Sequence, residues 1–162
     1  MKKIIAIVFA SFIFISCKKN LPNPGGTTTE AMANEWWVTY TVGGADVLGV
    51  GHVKIATYNS SANTNELWVD DLGSVGAAQS MKVKTTADPT NLTFSANNAN
   101  NENYSGGNTP QTVSITNGKV LLNAAHSRTG NVTDSIYMQA NISGTTYTIS
   151  GYARTRWAED DY

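Results

Sequence analysis

Short segments in which apolar and polar residues alternate dominate the chain, and this alternation predicts β-strands with one buried face. The clearest segment begins at Asn34, after which Trp36, Val38, Tyr40 and Val42 share one face. The same alternation recurs at residues 52–58, 66–70, 80–86, 92–94, 133–142 and 147–157. No segment has the apolar spacing of an amphipathic helix. The sequence therefore predicts an all-β domain of about eight to ten strands.

The strongest turn signal is Asn117-Gly118, which lies in the middle of the apolar segment 112–123. Asn and Gly both tolerate the positive φ that a two-residue hairpin turn requires. We therefore predict a hairpin at this point. Its register would place four apolar side chains on one face: Val113, Ile115, Val120 and Leu122.

Two further segments complete the predicted strand order. Residues 141–144 end in Ser143-Gly144, which predicts a second hairpin between the last two strands. Residues 96–111 are rich in asparagine and interrupt the alternation, so we predict a long loop there. A loop of this length inside a compact domain is usually functional or mobile.

Antiparallel strands joined by short polar turns form either a barrel or a sandwich. Successive hairpins favour an antiparallel up-and-down barrel of about eight strands, because closure removes exposed sheet edges. The alternative is a β-sandwich, which is less favoured because Cys17 is the only cysteine and the inter-sheet disulfide of immunoglobulin-like domains is absent. With an even number of strands, residues 35–42 should lie beside residues 147–157.

The N-terminal residues have the pattern of an export signal. Met1-Lys2-Lys3 is basic, and residues 4–15 are apolar but too few to span a bilayer comfortably. Ser16-Cys17 then resembles the lipobox of bacterial lipoproteins. We predict a signal peptide over residues 1–16 and lipid attachment, with palmitate among the acyl chains, at Cys17. An ordinary signal peptide or anchor with an incidental cysteine is the alternative.

Residues 17–33 contain Pro22, Pro24 and three consecutive threonines, with little that could be buried. This composition predicts a flexible tether, although the segment could instead lie extended along the domain. Residues 34–162 then form a single domain with a short acidic tail. The predicted location is the cell envelope, anchored at the outer membrane.

Charge and composition exclude one class of partner. The chain has 11 Lys and Arg residues against 12 Asp and Glu residues, so it lacks the basic surface that nucleic-acid binding requires. Its partners are predicted to be a membrane, through Cys17, and a small hydrophobic ligand.

Residues that could carry chemistry are few. The chain has no G-x-S-x-G sequence and two histidines, His52 and His126. A serine with His126 and Asp134 could in principle form a triad, but His126 lies in a predicted turn. Without a His or Cys spacing motif, we predict no catalytic residues, no metal site and no cofactor. The neighbouring acids at 70–71 and 159–161 are interpreted as facing solvent.

An ordered set of short segments resembles a family of small bacterial lipoproteins described as lipid-binding putative hydrolases. The matching segments are residues 35–38, 67–71, 82–84, 116–120, 134–137 and 145–151, followed by Arg154, Glu159 and Asp160. The resemblance implies a lipocalin-like barrel and an envelope location. Lipocalins set a Trp of the first strand against a late Arg, which implies pairing of Trp36 or Trp37 with Arg154 or Arg156.

The apolar strand faces would give such a barrel an interior able to hold one small ligand. We predict that the ligand, a lipid among the candidates, binds in the barrel or at its mouth without chemistry. The candidate binding residues are Trp36, Tyr40, Trp68, Met81, Phe94, Met138 and Tyr147. These side chains could instead simply form the core. The alternative functions are glycan binding, an accessory role in an envelope complex, and an esterase-type hydrolase.

Overall fold

A computed structural model describes residues 26–62 and 64–162. The predicted signal peptide, the predicted lipid attachment site Cys17 and the first part of the predicted tether lie outside the described residues.

Eight antiparallel strands form a closed barrel in which each strand pairs with the next along the chain. Strand β1 also pairs with β8, so the ring is complete. The strands are β1 Asn34–Thr41, β2 Val53–Asn59, β3 Glu66–Asp70, β4 Lys82–Asp88, β5 Thr93–Asn100, β6 Thr112–His126, β7 Val132–Ile142 and β8 Thr145–Ala153. The predicted up-and-down barrel is confirmed, and closure excludes the sandwich.

Because successive strands alternate in direction, the connections fall at two ends of the barrel. We call the end where β1 begins the proximal end. It carries residues 26–33, the connections 60–65, 89–92 and 127–131, and the C-terminal residues 154–162. The distal end carries the connections 42–52, 71–81, 101–111 and 143–144.

The buried core extends beyond the strands at the proximal end. Glu30–Met32 form a 3-10 helix, and the Met32 side chain is completely buried in the core. The backbone oxygen of Met32 accepts a hydrogen bond from Thr57 Oγ1 at 2.5 Å, and Thr57 also accepts one from Trp36 Nε1. The structure therefore packs the end of the segment that the sequence assigned to a flexible tether against the barrel.

The predicted hairpin at Asn117-Gly118 is wrong. These residues lie inside the continuous strand β6 and form a bulge, because Thr116 pairs with Gln139 whereas Lys119 pairs with Tyr137. One extra β6 residue is thus accommodated, with Asn117 at φ 54°. This bulge and a two-residue hairpin turn both place Asn at positive φ, so the local sequence signal is the same.

The bulge preserves most of the predicted buried face. Val113, Ile115 and Val120 are buried, whereas Leu122 is half exposed because β6 continues past its neighbour β5. Gly118 lies against Phe94, where a Cβ atom would come within 2.4 Å of the Phe94 backbone oxygen. Glycine at this position thus permits close contact between β5 and β6.

The other predicted hairpin is confirmed. Ser143 at φ 51° and Gly144 at φ 83° join β7 to β8, and Ile142 pairs with Thr145 across the turn. The predicted loop over 96–111 is partly wrong, since β5 extends to Asn100 with two irregularities in its pairing to β6.

Closure of the barrel is confirmed, but the predicted Arg–Trp pairing is wrong. Arg154 Nη1 donates to Glu35 Oε2 at 2.8 Å, and Arg154 Nε donates to Asp161 Oδ1 at 2.7 Å. Within the described residues, no guanidinium stacks on either indole of β1. Two carboxylates hold Arg154 because charged hydrogen bonds are stronger than a cation–π contact. The hydrogen bond from Arg154 lowers the pKa of Glu35.

Candidate functional site

The barrel interior is filled by side chains. Six of the seven candidate binding residues belong to one buried cluster, and none of them is more than 6% exposed. These six are Trp36, Tyr40, Met81, Phe94, Met138 and Tyr147. A side chain that lines a water-sized void would expose surface to it, so the space around these residues is occupied. They pack as a core.

The seventh candidate, Trp68, lies on the outer wall of the barrel. Lys84 Nζ lies 5.2 Å and Lys82 Nζ 5.9 Å from the centroid of its ring, and the Tyr58 ring lies 6.5 Å away. Alternation along β3 explains this placement, because Leu67 and Val69 are buried and the residue between them points outward. The structure therefore does not bring Trp68 together with the other six.

A buried amide organises the distal end. Asn101 Nδ2 donates to the backbone oxygens of Ser80 and Pro110, both at 2.8 Å. Its Oδ1 accepts from the backbone nitrogens of Lys82 and Asn103, at 2.8 and 3.1 Å. One side chain thus ties the connection 71–81 to the connection 101–111. In the sequence, nothing distinguishes Asn101 from the other asparagines of residues 96–111.

Beside this amide lie two buried polar groups with incomplete hydrogen bonding. Asp71 Oδ1 accepts from the backbone nitrogen of Gly73 at 3.0 Å. Asp71 Oδ2 and the Tyr40 hydroxyl have no hydrogen-bond partner within the described part of the chain. Burial raises the pKa of Asp71, and burial together with the nearby Asp71 carboxylate raises the pKa of Tyr40. The interpretation of Asp71 as a solvent-facing acid is therefore wrong.

Replacing Asp71 with asparagine should stabilise the protein relative to wild type as pH rises above about 4. The folded-state pKa of Asp71 is raised, so the folded protein binds the proton more tightly and wild type loses stability once the carboxyl ionises. The neutral amide of Asp71→Asn removes this loss. Urea denaturation of both proteins at pH 4 and pH 7 measures the difference.

Asp46→Asn is the control, because the pKa of Asp46 is shifted in the opposite direction to that of Asp71. Backbone hydrogen bonds, the largest from Gly51, lower the pKa of Asp46, so its carboxylate stabilises the folded state at neutral pH. This variant should be less stable than wild type at pH 7, and the difference should shrink as the pH falls below about 4, through the lowered pKa of Asp46. Identical pH profiles for Asp71→Asn and wild type would contradict the role assigned to Asp71.

The outer wall carries a cleft of about 720 Å³ near the proximal end. The bulge of β6 contributes one side of the cleft, and the β4–β5 hairpin contributes the other. Its lining residues are Thr86, Ala87, Asp88, Thr93, Phe94, Ser95, Asn117, Gly118, Lys119 and Tyr137. Of the seven candidate binding residues, Phe94 alone belongs to this lining.

The cleft combines apolar surface with a cation. Lys119 Nζ lies 5.3 Å from the centroid of the Tyr137 ring. On the opposite side, Asp88 is held by its own turn, because its carboxylate accepts hydrogen bonds from the side chain and backbone of Asn91. These bonds lower the pKa of Asp88. The cleft can therefore accommodate an apolar group together with a polar or anionic group on the Lys119 side, away from Asp88.

The sequence did not reveal these lining residues, because they come from four strands and their juxtaposition depends on the bulge. The one available signal was Asn117-Gly118 itself. It marks an irregular backbone, but it does not say which strands lie beside it.

The structure does not assemble the possible triad. Asp134 Oδ1 accepts the backbone N–H of Asn123 at 2.8 Å, and among the described residues no hydrogen bond joins it to His126. His52 stacks on Tyr162 with ring centroids 4.2 Å apart. The described residues contain no group of three metal-ligating side chains. They also contain no helix that is long and apolar enough to cross a membrane.

Comparison with known proteins identifies the family. The profile of the family described as "Lipid-binding putative hydrolase" matches residues 21–158, which is most of the chain. The chain belongs to this family. A comparison with curated proteins gives no match. The family match begins before β1, in agreement with the buried position of Met32. Membership in this lipid-binding family and the β-barrel fit a lipid-binding role.

Proposed function

We propose that this family member is a lipid-anchored protein of the cell envelope that binds a lipid in the cleft on its outer wall, without catalysing a reaction. Cys17 would carry the anchor, and the outer membrane would be its location. Lys119 and Tyr137 would contact the bound lipid. The observation that carries the proposal is a ligand-sized cleft beside a filled barrel interior.

The dimensions of the cleft suit a small ligand. Its volume of about 720 Å³ lies within the range of roughly 300–1,000 Å³ that is typical of ligand pockets. The interior residues first proposed for binding are buried against each other, so a ligand inside the barrel would have to displace core side chains. Binding inside the barrel would cost the free energy of displacing packed side chains, whereas binding in the outer cleft would not.

The lining also suits an amphipathic ligand. Tyr137 provides aromatic surface, while the Lys119 ammonium provides a positive charge that attracts a carboxylate or phosphate headgroup. Thr86, Thr93 and Ser95 add hydroxyl groups that can both donate and accept hydrogen bonds. A lipid with an anionic headgroup meets these requirements.

Ser95→Trp should block lipid binding, because the indole would occupy the cleft. Protein purified from membranes in mild detergent would be examined by native mass spectrometry. We expect co-purified lipid in wild type, and an affinity at least about tenfold weaker, equivalent to 1.4 kcal/mol, in the variant.

Thr145→Trp provides the matched control, because Thr145 is exposed on β8 at the distal end, away from the cleft. It should retain lipid. Equal lipid occupancy in Ser95→Trp and wild type, with both proteins folded, would rule out the cleft as the binding site.

Glycan binding is a second candidate, supported by the exposed indole of Trp157. Exposed aromatic rings stack on sugar rings, and the filled barrel interior is compatible with a surface site. A panel of envelope glycans would test this function, since specific binding that is lost in Trp157→Ala would favour it over lipid binding.

A further inference from the structure

Strands β6 and β7 extend beyond the rest of the barrel at the proximal end. Pairing of β5 with β6 ends at Lys119, and pairing of β8 with β7 ends at Ser135. Residues 121–126 and 132–134 therefore form a two-stranded ribbon, which we call the β6–β7 ribbon. Because β7 contributes three residues and the register shifts between Leu121 and Ala125, the ribbon is about 10 Å long.

The β6–β7 ribbon exposes large apolar side chains. Leu121, Leu122 and Val132 are 46%, 50% and 60% exposed, and Trp157 of the adjacent C-terminal segment is 63% exposed. Large apolar side chains are also exposed at the distal end, so the choice between the two ends rests on the chain that leads to Cys17. They include Val47, Val50, Leu72 and Tyr104.

The C-terminal segment is fixed to the tip of the β6–β7 ribbon. Asp160 Oδ1 accepts the backbone N–H of Thr129 at 2.8 Å, and Arg128 Nη1 donates to the backbone oxygen of Asp161 at 3.1 Å. Although burial opposes it, hydrogen bonds from Thr155 and Thr129 keep the pKa of Asp160 well below its usual range. Trp157 is thereby held at the same end as the exposed leucines.

The length of the preceding chain connects this end with a membrane. Residue 26 lies at the proximal end, and Cys17 precedes it by nine residues, which span at most about 30 Å. If Cys17 carries lipid, as proposed above, the proximal end cannot be far from the bilayer surface.

The exposed charges at this end include both bases and acids. His126, Arg128 and Arg156 are exposed at this end, and Asp161 is paired with Arg154. Glu30 and Glu159 are exposed acids at this end, and Asp134 of the ribbon is half-buried. Basic residues beside Trp and Leu are typical of surfaces that rest in the bilayer interface.

We propose that the β6–β7 ribbon and Trp157 contact the surface of the bilayer in which Cys17 is anchored. The inference rests on the proposed anchor. The partner is the lipid surface itself, and the distal end then faces away from it. Contact would orient the barrel and bring the outer cleft, which shares the proximal end, close to the lipid headgroups.

Site-specific labelling tests this orientation. Leu122→Cys places a thiol on the β6–β7 ribbon, and Leu72→Cys places a matched thiol on an exposed leucine at the distal end. Because Cys17 is the only native cysteine, a lipidated chain has a single free thiol for an environment-sensitive fluorophore. The full-length mature chain would be reconstituted in vesicles of phosphatidylethanolamine and phosphatidylglycerol.

We expect label 122 to brighten severalfold and shift to the blue, and to be quenched by nitroxide lipids, while label 72 remains unchanged. Equal responses, or a stronger response at 72, in protein that floats with the vesicles would overturn the ribbon contact while leaving the anchor intact. Protein that does not float would refute the anchor, and the inferred orientation with it.

Discussion

Gly151→Ala is expected to lower the free energy of unfolding by about 3 kcal/mol or more, because it places an atom where two strands already touch. A Cβ atom at Gly151 would lie 1.9 Å from the Trp37 backbone oxygen and 2.7 Å from Val38 Cα. Backbone atoms cannot rotate away as a side chain can, so β1 would have to separate from β8. Urea denaturation followed by tryptophan fluorescence would measure the change.

Ser150→Ala provides the control, since it changes the preceding residue of the same strand and adds no atom. It should change stability by no more than about 0.5 kcal/mol. If Gly151→Ala were as stable as Ser150→Ala, the close approach of β1 and β8 would have to be wrong.

Asn101→Ala should destabilise the protein by about 2–4 kcal/mol, because it removes four hydrogen bonds from a buried site. The backbone nitrogen of Lys82 and the backbone oxygens of Ser80 and Pro110 would lose their partner. The loss should be greatest at the distal end, and hydrogen exchange should show faster exchange in residues 71–81 and 101–111.

Asn97→Ala is the matched control, because Asn97 is an exposed asparagine on the adjacent strand β5. Its effect should stay within about 0.5 kcal/mol of wild type. A similarly small effect for Asn101→Ala would show that the two distal connections hold their positions without this amide.

Sequence patterns predicted the architecture well where the alternation of apolar residues and the positions of turn residues agreed. Strand β3 was predicted with its observed bounds, Glu66–Asp70, because alternation and flanking turn residues coincide there. The turn at Ser143-Gly144 was correct for the same reason. Closure between β1 and β8 followed from the even number of strands rather than from any single residue.

The errors arose where tertiary contacts decide between two local solutions. Asn117-Gly118 can turn the chain or bulge a strand, and β5 and β7 on either side of β6 impose the bulge. Asn97 and Asn98 have low intrinsic preference for strands, yet they lie within β5, at the irregularity between two segments that pair with β6. Patterns within one segment contain no information about such neighbours.

The candidate site was the least predictable part of the molecule. Alternation correctly placed Tyr40, Met138 and Tyr147 inside the barrel, but it could not indicate whether the interior would be open or filled. The ion pair between Arg154 and Glu35 could not be predicted either, since the two residues are 119 positions apart along the chain. These outcomes depend on volumes and distances that only the assembled barrel defines.

The order in which the strands pair also affects how the chain folds. Seven of the eight strand pairs join neighbours in sequence, so each can form by closing a short loop. The pair β1–β8 instead joins residues more than a hundred positions apart, such as Thr41 and Thr148. Its loop-closure entropy is the largest in the fold, and contacts of this kind slow folding. The β1–β8 seam should therefore form last during folding and open first during unfolding.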